Sequence, residues 1–283
     1  MTPAALIIPA AGLGSRLGRR KCLVALAGRP LILHTLECFL PLRDRFCQAI
    51  VVAHADDLAA LEGELGAALR GRYGVSDIVP GGERRQDSVA AGLARVRPEA
   101  GLVAIHDAAR PFVAPECIAA ALDAAEALGA AIVATPMKPT VKRVAASFAA
   151  QPPARPFAPA QGRPAGGYSK DEGRGTRTRT SGESHPHPAL SLKGRGVIVE
   201  TVDRRDLWCA QTPQVFRREL IVEAYAAAER DGVDATDDAQ LVERLGRPVA
   251  VVPGSELNLK ITTPEDLRLA EAIVASGLVR TAR

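Results

Sequence analysis

The chain has 283 residues, 47% of them hydrophobic, and a formal net charge of +4 at pH 7. That length allows one sizeable globular core, and the lack of any run of 18 apolar residues excludes a helical membrane span. The basicity is local: residues 145–196 hold eight Lys or Arg against three acids, which leaves the rest near neutral and argues against a nucleic-acid-binding role for the whole chain.

No charged lead and no small-residue cleavage site accompany the first apolar run, residues 4–11, which is also too short for a signal peptide. A cytoplasmic location is therefore expected. The five cysteines, Cys22, Cys38, Cys47, Cys117 and Cys209, form no Cys-x-x-Cys pair. Their scatter reads as buried thiols rather than disulfides or zinc ligands.

The first predicted element is a strand over residues 6–9. It breaks into "PAAGLGSRLGRRKCLVALAGRP", a loop with Gly12 and Gly14 followed by Arg16, Arg19, Arg20 and Lys21. The third glycine of a dinucleotide fingerprint is absent, and no P-loop string occurs. What remains is a pair of small residues, Ala10 and Ala11, two glycines and four cations. Small residues let backbone N–H groups approach a ligand, and clustered cations suit a polyphosphate; a solvated basic turn is the alternative.

Further along, helices are expected over 30–40, 57–69, 85–96 and 115–128, interleaved with strands over 49–53, 76–79, 101–106 and 130–135. Alternation of this kind implies a mostly parallel sheet with helices on both faces, whose ligands sit at the carboxyl ends of the strands. Two such ends carry chemistry. "PGGERRQDSVAAGL" follows the strand 76–79 with Gly81 and Gly82, and "AIHDAARPF" ends the strand 101–106 with Asp107. Asp107 is placed to meet a ribose or a metal, the competing reading being a satisfied turn carboxylate.

"TVKRV" and "VIVETVDR" are short, β-branched and alternating, as the two strands of a hairpin are. Between them lie residues 145–196, with seven Pro and eight Gly among 52 positions. This composition cannot offset its ordering entropy, so the segment is expected to be disordered, at a hairpin tip where added length costs least. After the hairpin, residues 212–232 and 236–246 read as helices and 248–254 as a strand. Lys260 falls in a further alternating strand, and 262–277 closes the chain as a helix whose Thr263, Pro264 and Asp266 form a capping box. One domain, 1–283, with a hairpin arm at about 137–208, is expected.

Taken together, "IIPAAGLGSRLG", "GGERRQDSVAAGL", "HDAARPF", "ATPMKPTVKRV", "ETVDRRDLWCAQTPQVF" and "NLKITTPEDLRLAE" resemble the 2-C-methyl-D-erythritol 4-phosphate cytidylyltransferase family. The first string is shared by many sugar nucleotidyltransferases; the later ones are far more specific. The resemblance implies a Rossmann-like nucleotidyltransferase fold with a β-hairpin dimerisation arm, and transfer of a cytidylyl group from CTP to methylerythritol phosphate with Mg²⁺ as the divalent metal. An enzyme of this kind for another polyol phosphate, such as ribitol 5-phosphate, is the alternative.

Carried over by motif, the resemblance assigns Arg16, Lys21 and Lys260 as the catalytic cations. It gives Ala10, Ala11 and Gly12 to the nucleotide backbone contacts, Gly82, Glu83 and Ser88 to cytosine, and Asp107 and Ala108 to the ribose, with Asp107 also at the metal. Arg110, beside Asp107, and Thr140 and Arg204 of the arm are assigned to the acceptor, the last two reaching it from the second subunit of a homodimer. The family's loop lysine usually follows a proline, six or seven residues after the arginine; here Lys21 follows Arg16 by five, without proline. Lys21 is the first choice, with Arg19 and Arg20 sharing the candidacy. Neither nucleic acid nor membrane is an expected partner.

Overall fold

A computed structural model describes residues 1–12, 21–63, 65–145 and 197–279. They fall into two compact units, Met1–Met137 with Arg205–Arg283 and, separately, Lys138–Arg204. The strands are β1 (Ala4–Ala10), β2 (Ala25–Leu26), β3 (Arg29–Pro30), β4 (Phe46–Ala53), β5 (Val75–Pro80), β6 (Leu102–Ile105), β7 (Ala130–Pro136), β8 (Val141–Ala145), β9 (Val197–Val202), β10 (Trp208–Arg217) and β11 (Ala250–Pro253). Helices are α1 (Leu31–Glu37), α2 (Leu58–Glu62), α3 (Gly66–Gly71), α4 (Arg85–Leu93), α5 (Pro115–Leu128), α6 (Arg218–Arg230), α7 (Asp238–Arg244) and α8 (Pro264–Ser276).

Seven strands of the larger unit form one sheet in the order β11-β7-β10-β6-β1-β4-β5. All pair in parallel except β10, which is antiparallel to both β6 and β7. β1 is almost continuously apolar because both of its faces are covered. Leu6 and Ile8 pack with α1, α2, α3 and α5 through Ile32, Leu61, Leu69 and Ile118, while Ile7 packs with Val89 of α4, Ile221 of α6 and Val242 of α7. The expected α/β architecture is thus present. Leu26, Phe112, Ile261 and Ile273 of α8 make a third apolar cluster.

Several boundaries differ from the sequence reading. Residues 212–217 belong to β10, not to the helix expected over 212–232: residues 214–216 pair with both β6 and β7, and Arg217 with β6, in the middle of the sheet. The helix expected over 57–69 is two short ones: α2 stops at Gly63, where a Cβ would meet the Ala59 carbonyl at 2.9 Å. Lys260 lies not on a strand but in an irregular connection whose Ile261 N–H donates to the Ala109 carbonyl at 2.9 Å. The α8 capping box is formed as read: Asp266 N–H donates to Thr263 Oγ1, and Thr263 N–H to Asp266 Oδ2.

In the smaller unit β8 and β9 pair antiparallel, Val141 opposite Val202 and Val144 opposite Ile198. This is the hairpin the alternation predicts, and Ala145 closes β8. Residues 146–196, and with them the expected disorder, lie outside the described residues. Among the described residues no helix is long and apolar enough to cross a membrane. All five cysteines are free, but only Cys22 is fully buried and Cys47 is exposed, which corrects the reading of them all as buried. Cys47 is exposed because it is the second residue of β4, ahead of the buried run that starts at Gln48.

Candidate active site

Three loops at the carboxyl ends of β1, β5 and β6 meet in a cleft of about 170 Å³, as expected for a parallel sheet. β1 delivers Ala10, Ala11 and Gly12. From β5 come Gly82 and Glu83, with Arg85 and Ser88 on the first turn of α4. The smallness of this loop is required by packing: a Cβ on Gly81 would lie 2.6 Å from both Ala11 Cβ and Ser88 Oγ, and one on Gly82 would collide with Asp87. Asp107 and Ala108 follow β6, and Lys260 enters from the connection before α8.

Asp107 is 6% exposed and its main chain is pinned. His106 Nε2 lies 3.0 Å from the Arg110 carbonyl, which can only accept, so Nε2 carries the hydrogen. Nδ1 then accepts from the Thr212 hydroxyl at 3.1 Å, and the Thr212 oxygen in turn accepts the Asp107 N–H at 3.0 Å. Burial pushes the His106 imidazole down to about 4, which keeps it neutral in this relay.

Among the described residues, three cations face the Asp107 carboxylate. Arg85 Nε is 3.1 Å from Oδ1, while Lys260 Nζ and Arg110 Nε lie 2.8 Å and 3.4 Å from Oδ2. Burial alone would raise this carboxyl, but the charges of Lys260 and Arg85 outweigh it and hold Asp107 well below the usual carboxylate range. Arg110 is steadied by donating to the Asn258 carbonyl at 2.7 Å, and the Asn258 amide donates to Gln211 and to the Thr212 carbonyl, both at 2.9 Å. The segment carrying Lys260 is therefore tied to the one carrying Asp107.

The cleft thus brings together Ala10, Ala11, Gly12, Gly82, Glu83, Ser88, Asp107, Ala108 and Lys260, with Arg110 at the back of Asp107. Arg16, with Arg19 and Arg20, lies outside the described residues. Lys21 opens a 3-10 turn, Lys21–Leu23, whose Cys22 lines the cleft. Thr140 and Arg204 belong to the smaller unit, where both are exposed and the Arg204 guanidinium donates to the Lys138 carbonyl. Sequence reading missed Arg85 as a site residue; its signal was its place at the first helical position after a glycine pair. A more voluminous cavity of about 550 Å³ is lined by Glu37, Glu116, Phe112 and Leu257 and, among the described residues, by no Lys or Arg, which does not suit a polyanion.

Among known proteins, the sequence model for the family described as IspD, 2-C-methyl-D-erythritol 4-phosphate cytidylyltransferase, matches residues 4–155 and 190–276. The chain belongs to this family. The gap in the match falls inside residues 145–196. A relative of that name from Pelotomaculum thermopropionicum is 37% identical, covering 100% of this chain and 98% of its own. Another, from Geobacillus kaustophilus, is 38% identical over 96% and 97% of the two chains. The crystal structure of the 2-C-methyl-D-erythritol 4-phosphate cytidylyltransferase from Thermus thermophilus superposes with a TM-score of 0.66, at 30% identity over 96% and 99% of the chains. The 4-diphosphocytidyl-2C-methyl-D-erythritol synthase of Anaerococcus prevotii gives 0.69 at 25%, over 96% of each. The sheet and helices described above are the Rossmann-like nucleotidyltransferase fold of these cytidylyltransferases.

Proposed function

We propose that this enzyme transfers the cytidylyl group of CTP to 2-C-methyl-D-erythritol 4-phosphate and releases pyrophosphate. The observation that carries the reading is the buried, ionised Asp107 ringed by Arg85, Arg110 and Lys260 at the carboxyl ends of three strands. An oxygen of the acceptor phosphate forms a bond to the α-phosphorus of CTP, and the bond to the α,β-bridging oxygen breaks, its electron pair leaving with pyrophosphate. A phosphate nucleophile is already anionic, so no general base is needed. What the protein supplies is alignment of two anions and neutralisation of the charge that spreads in the transition state.

In this reading Arg16, Lys21 and Lys260 neutralise the triphosphate. Ala10, Ala11 and Gly12 offer backbone groups to the nucleotide, and Gly82, Glu83 and Ser88 read cytosine. Asp107 and Ala108 hold the ribose, and Arg110 holds the acceptor beside Asp107. Thr140 and Arg204 reach the acceptor from the hairpin of a second subunit. In support of a homodimer, the hairpin presents the facing pair Val144 and Ile198 at 49% and 60% exposure, an apolar surface that a second copy would cover.

Among the described residues no three His, Cys, Asp or Glu side chains cluster to hold a metal by themselves. The donor set nevertheless fits Mg²⁺, which is commonly held by one carboxylate together with substrate phosphates. Asp107 would be that carboxylate: it is ionised, and Oδ2, whose other partner Arg110 is 3.4 Å away, would be the oxygen offered to the ion once Lys260 turns to the phosphate. The bound ion would supply charge neutralisation on the triphosphate. The cytoplasm is the proposed site of action, in keeping with five free thiols.

The test is pyrophosphate release by the full chain with CTP and methylerythritol phosphate. Turnover with that pair is expected; turnover only with another polyol phosphate overturns the acceptor, and none with any overturns the reaction.

A further inference from the structure

The three cations around Asp107 are held differently. Lys260 is the most exposed, 39% for its side chain, on a segment with no regular structure. Arg85 is clamped from behind. Its Nη2 lies 2.8 Å from Asp238 Oδ2, and the other oxygen of Asp238 accepts the Tyr225 hydroxyl at 2.6 Å. Asp238 is 1% exposed, at the start of α7, and its N–H and that of Ala239 donate to Gln214 Oε1 at 3.1 Å and 3.0 Å. Elements α6, α7 and β10 therefore converge to fix one guanidinium on Asp107 Oδ1. Burial would lower the affinity of Arg85 for its proton, but Asp238 and Asp107 overcome this, so it remains a permanent cation.

We infer that the Tyr225–Asp238–Arg85 chain is a positioning device that keeps a fixed counter-ion on Asp107, which lets Lys260 exchange the carboxylate for an incoming phosphate. Stripping the last cation from a buried carboxylate is costly, so a lysine serving as sole partner of Asp107 would be held back from the nucleotide. With Arg85 on Oδ1 and Arg110 on Oδ2, the departure of Lys260 leaves Asp107 compensated. Asp238 completes the device, because an arginine pinned at both ends does not follow the lysine toward the phosphate. Arg85 and Tyr225 thereby act through Lys260 and Asp107. This rests on the proposed role of Lys260 at the triphosphate.

A double-mutant cycle in the full chain tests it, with kcat and the KM for CTP read separately from pyrophosphate release. Arg85→Gln is expected to lower kcat about tenfold while moving KM much less, and Tyr225→Phe to lower kcat about threefold. Arg85→Lys, which keeps a charge but cannot bridge two carboxylates, restores part of the loss. In a Lys260→Ala background the cost of Arg85→Gln falls below about twofold, because the exchange it assists no longer occurs. Equal losses in both backgrounds overturn the inference, since a purely structural arginine would act independently of the lysine. Should Arg85→Gln fail to fold by circular dichroism, Arg85→Lys and Tyr225→Phe carry the same cycle, and additivity there overturns it equally. Wild-type activity in Lys260→Ala alone would instead defeat the assignment of Lys260, a separate failure.

Discussion

The cleft and the hairpin both carry charges next to expected site residues, yet they hold them in opposite ways. At the cleft, Asp107 and, behind it, Asp238 are buried and share Arg85, so each charge depends on the next. On the hairpin, Arg143 and Glu200 pair at 2.7 Å with side chains 64% and 51% exposed, and water compensates whatever the pair does not. Similar ion-pair distances thus carry different weight. Asp107→Asn leaves three cations around a neutral amide and is expected to cost roughly 3 kcal/mol of stability along with most activity. Glu200→Gln is expected to cost under about 1 kcal/mol. Urea unfolding of both variants gives the two values directly, and equal losses would erase the distinction.

A second contrast concerns the role proposed for each region. The cleft is complete enough within one unit for its residues to support one another, whereas Arg204 on the hairpin is exposed and its guanidinium meets only the local Lys138 carbonyl among its described hydrogen bonds. Its proposed ligand is the acceptor alone. Arg204→Ala should therefore raise the KM for methylerythritol phosphate about tenfold, the order expected for one lost charge-assisted hydrogen bond, and leave that for CTP within about twofold. Steady-state kinetics with each substrate varied in turn would show it; a matched rise in both constants would place Arg204 in the nucleotide half instead.

How much of this was legible in the sequence depends on whether a residue's neighbours are near in the chain. The strand ends bearing Ala10 to Gly12, Gly82 to Ser88 and Asp107 could be read because glycine pairs, cations and apolar runs are local signals. β10 could not: Thr212-Pro213 looks like a helix start, and Val215 and Phe216 fit the spacing of the helix that does follow, so only pairing with β6 and β7 shows the strand. Lys260 was read on a strand because Leu257, Leu259 and Ile261 alternate with polar residues. No neighbouring strand pairs with them, and they pack instead beside α8. Arg85 escaped notice as a site residue because its two carboxylates lie 22 and 153 positions away. The motif strings led to residues that line one cleft; they did not reveal the chain of charges behind it.

Cys22 sharpens the lesson, because the same cleft moves two ionisable groups in opposite directions. Asp107 is buried among cations and stays ionised. The Cys22 thiol is buried too, but it faces the Asp57 carboxylate, with Sγ 3.8 Å from Oδ2, and burial with that negative neighbour pushes it up to about 12. Burial thus penalises both charged forms, and the sign of the neighbouring charge decides which group ionises. A protonated, enclosed thiol is a poor nucleophile even where it lines a substrate cleft. Cys22→Ala is accordingly expected to change kcat/KM by less than about twofold while costing on the order of 1 kcal/mol through the small void it leaves. Iodoacetamide at about pH 8, near the ordinary thiol range, should label exposed Cys47 well before Cys22, as peptide mass mapping would record. Rapid labelling of Cys22 with loss of activity would mean that a cation, not Asp57, governs its thiol, and the contrast with Asp107 would fail.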